Sequence, residues 1–344
     1  MHADSSPQQK PGSPVTLEMV AAWAGVGRQT VSNAINSPGL LRPETLERVQ
    51  RAIDELGYRP NRAAQALKTR ASKLIGYGIR DSGTGAPNPV LDQFLHALAQ
   101  SADQAGYRVV LFAVASARDE LVRYQQLLDE HGADGFVLSG TERNDPRQHW
   151  LHDRGVPFVA FGRPWSGRDV GDWVDVDGAA GTAAAVRHLA GLGHERIGFL
   201  GWPKGSGVGD DRARGWQGAM LELGLSTRGR RAESPGDPAA AESAAERLLA
   251  TGVTAVVAAS DALALGWYQA LRRAGRAPGP DAAVIGFDDS PIAPLVLPAL
   301  SSLAQPLDAV GGECMRLLIQ RLNDRGRPRE HVLLAPRLVL RESQ

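Results

Sequence analysis

Residues 16–36, TLEMVAAWAGVGRQTVSNAIN, contain two short helical patterns that are separated by a glycine turn. Thr16 can cap the first helix, because its hydroxyl can accept a hydrogen bond from a backbone N–H of the opening turn. Apolar residues then recur at helical spacing as far as Ala24, and Gly25 can adopt the positive φ that ends a helix. The second pattern begins at Arg28. This arrangement predicts a helix-turn-helix.

The outward face of the second predicted helix is polar. Its residues are Arg28, Gln29, Thr30, Ser32 and Asn33. In a helix-turn-helix the second helix lies in the major groove of DNA, where a guanidinium matches guanine and a side-chain amide matches adenine. Two interpretations are open for this stretch alone: a base-reading helix, and an ordinary pair of helices with a solvated outer face.

The length and composition of the chain indicate a globular protein with more than one domain. It has 344 residues, of which 43% are hydrophobic and 22% are charged. The apolar runs are shorter than the roughly 18 residues of a membrane span, and the polar residues 1–14 lack the apolar stretch of a signal peptide. We therefore expect a disordered N-terminal lead at 1–14, no membrane partner and a cytoplasmic location. The single cysteine, Cys314, excludes a disulfide framework.

Charge is distributed unevenly, although the net charge is zero. Residues 1–73 contain ten Lys and Arg against six Asp and Glu, and the remainder contains 28 against 32. The N-terminal part is thus modestly basic and the body slightly acidic. This distribution favours contact with phosphates by the N-terminal part only.

A third helix and a polar hinge follow the helix-turn-helix. Pro43 suits the first position of a helix whose apolar face continues to Glu55, and Gly57 ends it. The breaker YRPN then precedes RAAQALKT, residues 62–69, which has helical propensity but little to bury. An isolated helix this short is marginal, because it does not repay nucleation. A segment that folds only against a partner is what a switch between two domains requires.

Residues 16–73 resemble the DNA-binding headpiece and hinge of the LacI/GalR family of bacterial transcriptional regulators. The motifs that carry the resemblance are VTLEMVAAWAGVGRQTVSNAIN, the helix from Pro43 to Leu56, and YRPNRAAQAL. The resemblance implies an all-α helix-turn-helix domain at 15–60 and a hinge helix with linker at 61–73. It also implies an α/β two-lobed, periplasmic-binding-protein-like (type I) effector and dimerisation domain at 74–344.

The resemblance also assigns roles within the headpiece and hinge. It implies that Arg28, Gln29 and Asn33 read the major groove, and that Leu67 wedges between base pairs in the minor groove. The chain has Gly27 where the family usually has Ser, and Asn33 where it often has Arg, so we expect a different operator preference. The candidate DNA-contacting residues are Thr16, Arg28, Gln29, Thr30, Ser32, Asn33, Asn36, Asn61, Ala64 and Leu67.

The body alternates short β-rich runs with amphipathic helices. Examples are LIGYGI at 74–79, RVVLFAV at 108–114 and AVIGFDD at 283–289. Such alternation predicts parallel sheets with helices on both faces, and the number of units predicts two lobes. The resemblance implies three crossings between lobes. We place an N-lobe at about 74–174 and 305–335, a C-lobe at about 175–304 and 336–344, and the ligand cleft at the carboxyl ends of strands.

Residues just after the predicted strands are the candidate effector contacts. The family motifs match Arg212, in DRARGW, and Asp288, in IGFDD, to the pair that grips the effector. A cation and an anion facing one cleft can hold the vicinal hydroxyls of a polyol, and an aromatic ring can stack on a sugar's apolar face. Ser260 stands where many relatives have Asn, and its neighbour Asp261 is interpreted, with Asp289, as a cap or structural partner. The complete set is Asp81, Phe94, Arg163, Trp165, Trp202, Arg212, Ser260, Asp288 and Gln305.

Catalytic, cofactor and metal sites are not predicted. GSGVG at 205–209 matches neither the P-loop pattern nor a dinucleotide fingerprint. Asp288 and Asp289 are adjacent, so on a strand they would point to opposite faces and not act together. His188 and His194 lack the spacing of a helical metal site. We therefore expect no enzyme activity and no cofactor apart from a small-molecule effector.

The sequence as a whole predicts a cytoplasmic transcriptional repressor. It would bind double-stranded inverted-repeat operator DNA as a homodimer and respond to a small molecule, a sugar in the first place. Leucine heptads do not follow Leu340, so a tetramer held by a C-terminal coiled coil is not expected. The alternatives are a corepressed regulator that senses a purine, a sugar-binding transport receptor that shares the body fold, and an enzyme that carries a helix-turn-helix.

Overall fold

A computed structural model describes residues 15–59, 71–80 and 88–344. The chain divides into two compact units, residues 1–71 and 72–344. Several predictions lie outside the described residues. These are the disordered lead at 1–14, the hinge helix with Asn61, Ala64 and Leu67, and the effector contact of Asp81.

The first unit contains three helices, α1 (Leu17–Ala24), α2 (Arg28–Asn36) and α3 (Pro43–Leu56), with a 3₁₀ turn at Pro38–Leu40. Both predicted glycine stops are left-handed: Gly25 and Gly57 each have a φ of 63°. An L side chain rarely adopts this conformation, so glycine ends the helices here. The helices enclose a small core of Val20, Ala21, Ala24, Val31, Ala34, Val49 and Ala52.

The second unit contains twelve described strands and eight described helices. The strands are β1 (Leu74–Arg80), β2 (Arg108–Val114), β3 (Gly135–Leu138), β4 (Phe158–Phe161), β5 (Asp172–Val176), β6 (Ile197–Gly201), β7 (Arg231–Glu233), β8 (Ala255–Ala258), β9 (Ala283–Asp288), β10 (Ser301–Ala304), β11 (His331–Leu334) and β12 (Arg337–Val339). The helices are α4 (Pro89–Gln104), α5 (Ala117–Asp129), α6 (Pro146–Asp153), α7 (Gly178–Gly191), α8 (Val208–Glu222), α9 (Pro238–Leu249), α10 (Asp261–Arg273) and α11 (Leu307–Asn323).

The strands form two six-stranded sheets. The first has the order β11-β5-β4-β3-β1-β2 and is parallel throughout. The second has the order β12-β10-β9-β8-β6-β7 and is parallel except at β12, which pairs antiparallel with β10. The predicted fold class is confirmed, but the prediction that the sheets are parallel is wrong for β12. The chain enters β12 directly from β11 of the other sheet, with two residues between the strands, so β12 does not follow the strand–helix–strand alternation from which parallel pairing was predicted.

Each sheet and the helices packed on it form one lobe. The N-lobe consists of the first sheet with α4, α5, α6 and α11, and the C-lobe consists of the second sheet with α7, α8, α9 and α10. The chain passes between the lobes three times: from β5 to α7, from β10 to α11, and from β11 to β12. The three passages connect the edge of the first sheet that contains β11 and β5 with the edge of the second sheet that contains β12 and β10. We therefore place the cleft between the two lobes, at the carboxyl ends of the parallel strands.

Close packing of α7 against α8 sets the position of the C-lobe side of the cleft. A Cβ on Gly215 of α8 would lie 2.0 Å from the backbone oxygen of Ala179 in α7, so only glycine permits this approach. The Thr182 hydroxyl of α7 donates a hydrogen bond to the backbone oxygen of Arg212, at 2.7 Å. Together these contacts fix the turn of α8 that carries the Arg212 side chain.

Candidate functional site

The outward face of α2 presents the predicted base-reading side chains. Val31 and Ala34 are buried against α1 and α3, whereas Arg28 and Gln29 are exposed and Asn33 is half-buried. This division follows from the helical period, since the apolar residues recur at positions three or four apart. Thr30 and Ser32 are half-buried on the flank of the face, and Asn36 is exposed at its end.

Two amides on this face are hydrogen-bonded to each other. The Nε2 group of Gln29 donates to Oδ1 of Asn33 at 3.0 Å, one helical turn away. Each amide has further donor and acceptor capacity, so the pair can still meet a base edge. Asn36 likewise donates through Nδ2 to the backbone oxygen of Ser32 at 2.9 Å. The bond between Gln29 and Asn33 fixes the orientation of both before any ligand arrives.

Helix starts account for two further positions of the headpiece. Thr16 Oγ1 accepts from the backbone N–H of Met19 at 3.4 Å, so Thr16 caps α1 as predicted from its position. Gly27 precedes α2 and supplies no side-chain cap. Arg28 Nη1, at the first turn of α2, forms an ion pair with Glu18 Oε1 of α1 at 3.0 Å.

Arg212 and Asp288 meet at the carboxyl edge of the C-lobe sheet. Arg212 Nη1 lies 3.4 Å from Asp288 Oδ1 and also donates to the backbone oxygen of Ala259. Gln305, directly after β10, donates through Nε2 to Asp288 Oδ1 at 2.7 Å. The structure thus brings together three of the predicted effector residues from separate parts of the chain.

Burial makes this ion pair costly to keep charged. The Arg212 guanidinium carbon lies 3.5 Å from the ring centre of Phe287 and 5.7 Å from that of Trp202. Burial raises the pKa of Asp288, against the opposing effects of the Arg212 charge and the Gln305 hydrogen bond, and burial lowers the pKa of Arg212. A ligand that hydrogen-bonds to both charges would offset part of their lost hydration.

The backbone at Asp288 is held in an uncommon conformation. Asp288 has a φ of 108° and Asp289 a φ of 50°, and both are non-glycine residues. Such conformations cost about 1–3 kcal/mol each and persist where the surrounding structure holds them, often at ligand sites. The turn sends the two carboxylates to different partners, since Asp289 Oδ1 pairs with Arg341 Nη1 at 2.7 Å.

The N-lobe contributes a second cation and a second indole. Arg163, two residues after β4, donates through Nε to Asp175 Oδ2 at 2.6 Å. Its guanidinium carbon lies 5.1 Å from the ring centre of Trp165. Its Nη2 atom lies 3.6 Å from Asp211 Oδ2 of the C-lobe. Arg163 and Trp165 therefore form an arginine–tryptophan pair that resembles the pair of Arg212 and Trp202 in the other lobe.

Loops of the two lobes meet at the mouth of the cleft. The indole of Trp165 lies against Gly207, where a Cβ would come within 2.5 Å of Cγ and φ is 68°, so glycine is required. Beside this contact, Arg143 Nη2 of the N-lobe pairs with Asp210 Oδ2 of the C-lobe at 3.2 Å. The backbone N–H of Gly205 donates to the same oxygen at 2.9 Å. We call the ion pair of Arg143 and Asp210 the lobe bridge.

Buried donors without partners line the cleft on both sides. Within the part of the chain that the structure describes, Arg212 Nε, Arg163 Nη2 and Trp165 Nε1 are buried and make no hydrogen bond, although Arg163 Nη2 lies 3.6 Å from Asp211 Oδ2. A buried unsatisfied N–H costs about 1–3 kcal/mol, so native structures rarely keep one without a reason. A ligand rich in oxygen acceptors would satisfy these groups.

Phe94 does not offer the stacking face predicted for it, and Ser260 has a structural role while its effector contact stays a prediction. Phe94 has no exposed surface: its ring packs between Tyr77 and Phe161, with centroids 6.0 Å and 4.6 Å away. Stacking on a sugar requires an open ring face, and burial in the N-lobe core removes it. Ser260 caps α10, because its hydroxyl accepts from the backbone N–H of Leu263 at 3.2 Å.

Asp261 has the structural role predicted for it. Its carboxylate accepts from the backbone N–H and the hydroxyl of Ser290, each at 2.7 Å, and from the hydroxyl of Ser302. Burial, followed by the nearby charge of Asp288, raises the pKa of Asp261 to about 7. These bonds tie the loop after β9 to the start of α10, and so support the strained turn at Asp288.

Several cleft residues were missed from the sequence. Asp175 is buried within β5 and orients Arg163, and Asp211, the first residue of the motif DRARGW, was not predicted as a cleft residue. An aspartate between two valines in the strand sequence DWVDV was the available signal for Asp175. The lobe bridge had no such signal, because Arg143 and Asp210 are distant in sequence and each reads as an ordinary surface charge.

The described residues contain neither a metal-binding cluster nor a membrane-spanning helix. Across residues 15–59, 71–80 and 88–344, no group of three or more His, Cys, Asp or Glu side chains is arranged to hold a metal ion. No helix among the same residues is long and apolar enough to cross a membrane.

Comparison with known families gives two matches. Residues 16–61 match the family of bacterial regulatory proteins of the lacI type, and residues 186–344 match the periplasmic binding protein-like domain. These ranges contain, respectively, the helix-turn-helix and most of the C-lobe.

Relatives and solved structures match along almost the whole chain. The HTH-type transcriptional regulator CelR of Thermobifida fusca is 35% identical over 334 residues, which are 95% of this chain and 98% of the relative. A structure of transcriptional regulator CelR in complex with cellobiose is 32% identical, with a TM-score of 0.72, and the match covers 96% of this chain and all of that one. A lac repressor dimer bound to operator and the anti-inducer ONPF is 27% identical, with a TM-score of 0.79 over 96% of this chain and 99% of that one.

Proposed function

The chain belongs to the LacI family of bacterial transcriptional regulators, and from this we propose that it represses transcription as a homodimer on an inverted-repeat operator, under the control of a sugar. As predicted from the sequence, the protein is a regulator and not an enzyme, since its relatives over the full length are transcriptional regulators. The same full-length match, headpiece included, argues against a transport receptor. We place its action in the cytoplasm, where its DNA is.

The observation that carries the sugar proposal is the set of unsatisfied buried donors in the cleft. Arg212, Arg163 and Trp165, which come from both lobes, each keep a buried N–H group that makes no hydrogen bond. Asp288 adds an anionic acceptor beside Arg212. Hydroxyl groups are both donors and acceptors, so a polyol satisfies this mixture better than an apolar ligand does.

Two arginine–tryptophan pairs favour a ligand with two rings. One pair, Arg163 with Trp165, belongs to the N-lobe, and the other, Arg212 with Trp202, belongs to the C-lobe. An indole provides a stacking face for one pyranose ring, and an arginine beside it provides donors to that ring's hydroxyls. We therefore propose a disaccharide, and the cellobiose bound to one relative makes cellobiose the first to test.

Control of DNA binding would follow from the relation between the two lobes. The lobe bridge and the contact of Trp165 with Gly207 join the lobes at the mouth of the cleft. An effector that prefers one arrangement of the lobes shifts the population toward it, and a difference in affinity of a few kcal/mol is sufficient. We propose that this shift reaches the headpiece and lowers its affinity for the operator.

The lobe bridge provides a prediction about effector affinity. Arg143→Gln removes the cation that holds Asp210, so the bridged arrangement loses part of its stability. Because the pair is partly exposed, we expect effector affinity to fall only about two- to fivefold in isothermal titration. Arg187→Gln is the control, since Arg187 forms an exposed ion pair with Glu222 at 2.7 Å within the C-lobe. Equal affinities for the two variants would show that the bridge does not contribute to closure.

Exposed apolar residues support the proposed homodimer. On the C-lobe, Ile292, Leu295 and Leu297 are 42%, 73% and 87% exposed and lie within one loop. On the N-lobe, Leu111 of the edge strand β2 is exposed beside a groove of about 360 Å³. Exposed apolar side chains that are clustered in one loop are typical of interaction sites, and an unpaired edge strand adds hydrogen-bonding groups.

Truncation of one of these residues should weaken the dimer. Leu297→Ser removes apolar area from both copies of a two-fold interface, at about 1 kcal/mol per copy, so we expect the dimer dissociation constant to rise about 30-fold. Analytical ultracentrifugation measures the change. Leu221→Ser is the matched control, because Leu221 is an exposed leucine on α8, outside the loop. A dimer unaffected by Leu297→Ser, or weakened equally by both variants, would place the interface elsewhere.

A single titration experiment tests the proposed function. An inverted repeat is selected from a random duplex pool with the full chain, and its affinity is measured with and without mono- and disaccharides and purines. We expect specific binding that weakens as salt rises, and release by a disaccharide. Tighter operator binding in the presence of a purine would identify the corepressed alternative. Failure to bind any duplex at low salt would overturn the proposal.

A further inference from the structure

A carboxylate stands at the predicted DNA-contacting face of the headpiece. Glu18 lies in the first turn of α1, and its Oε1 atom is 3.0 Å from Nη1 of Arg28 at the start of α2. Both side chains are largely exposed, at 58% and 70%. The N-terminal residues of the second helix are those that contact base edges in a helix-turn-helix, so Glu18 lies beside that point of contact.

A bare carboxylate at this position would be repelled by the phosphates. Two unit charges 4 Å apart interact by about 1 kcal/mol even in water. Hydrogen bonds from its own backbone N–H and from the Thr16 hydroxyl, with a smaller effect of the Arg28 charge, lower the pKa of Glu18, so it stays ionised and can only accept. The adjacent Arg28 offsets this repulsion, and a hydrogen-bond donor on the DNA would make the acceptor favourable.

The arginine and the carboxylate together match one base pair. In the major groove a G·C pair displays two acceptors, guanine N7 and O6, followed by one donor, the cytosine N4 amino group. Arg28 presents donors, and Glu18 beside it presents an acceptor, which is the complementary order. We propose that Arg28 and Glu18 read a single G·C base pair together, with Glu18 accepting a hydrogen bond from cytosine N4. This inference rests on the proposed DNA-binding function of α2.

Modified DNA isolates the contact of Glu18 from that of Arg28. Each cytosine of the selected half-site is replaced in turn by N4-methylcytosine, whose methyl group removes the donor facing the major groove. With the full wild-type chain, we expect one cytosine per half-site at which the modification weakens binding about tenfold. With Glu18→Ala the same modification should have no effect, because the acceptor is already absent. Glu18→Gln, which keeps an uncharged acceptor, should lie between the two.

Glu44→Ala is the matched control, because it removes an exposed carboxylate from the first turn of α3. It should bind every modified duplex as the wild type does. The proposal is overturned if no cytosine distinguishes the wild type from Glu18→Ala. It is also overturned if Glu18→Ala strengthens binding to all duplexes equally, which would make Glu18 a repulsive surface charge. If the wild type binds no duplex at all, the proposed function fails instead, so the two failures are distinguishable.

Discussion

Replacement of Asp288 by asparagine should weaken effector binding about 1000-fold, because two charge-assisted hydrogen bonds to sugar hydroxyls are lost at about 2 kcal/mol each. Asparagine has the same shape, so Gln305 can still donate to the remaining oxygen. Arg212 then loses its hydrogen-bonded anionic partner and keeps the carbonyl of Ala259, the ring of Phe287 and the more distant charges of Asp175 and Asp211. Operator binding should stay close to that of the wild type, since the headpiece is a separate unit.

Asp289→Asn is the control for this prediction. It changes the neighbouring residue in the same strained turn, but Asp289 faces Arg341 and not the cleft. We expect effector affinity, measured by isothermal titration, to be unchanged in this variant. If both variants lost effector binding equally, the cause would be damage to the turn. If Asp288→Asn responded normally, Asp288 would not belong to the effector site.

The parts of the fold that could be predicted have strong local signals. The three helices of the headpiece combine apolar periodicity with proline at Pro43 and glycine at Gly25 and Gly57, and each signal acts within a few residues. Buried parallel strands such as β3 and β8 are short continuous apolar runs, which are visible without knowledge of their neighbours.

Edge strands were harder to recognise. β7 is the three-residue RAE, β11 alternates exposed and half-buried positions, and β12 is the three-residue RLV with no buried position. Their strand conformation depends on pairing with a neighbour that is distant in sequence, as in the pairing of His331 with Trp173. Intrinsic preference at so short a segment is weak, so tertiary pairing decides its structure.

The candidate effector residues could be selected from the sequence by their charges, but their contacts with one another could not. The motifs around Arg212 and Asp288 predicted that these two residues form a pair, and Gln305 was predicted as a further effector contact. The contact of Asp175 with Arg163 arises from the pairing of β4 with β5, and the lobe bridge arises only when the two lobes are brought together. Phe94 was predicted as an effector contact because it lies in the helix after the first strand. Its position on α4 places the side chain in the N-lobe core instead.

Alanine at both Gln29 and Asn33 should abolish most sequence-specific DNA binding. Each amide contact with adenine contributes about 1–3 kcal/mol of discrimination, and a dimer loses the contacts in both half-sites. At about 1 kcal/mol per amide, each half-site loses about 2 kcal/mol. We therefore expect the specific affinity of the dimer to fall by about 4 kcal/mol, or about 1000-fold. Non-specific binding and its salt dependence should be retained, because the phosphate contacts are unchanged. Fluorescence anisotropy on specific and random duplexes measures both quantities.

The single variants distinguish base reading from a structural role. Gln29 donates to Asn33 at 3.0 Å, so removing either amide leaves the other less well oriented. We therefore expect each single alanine variant to lose more than half of the total effect, and the two losses to sum to more than the double variant loses. Gln50→Ala, on the exposed face of α3, is the control and should leave specific binding unchanged. Equal losses on specific and random duplexes would mean that the two amides hold the helix in place and do not read the operator.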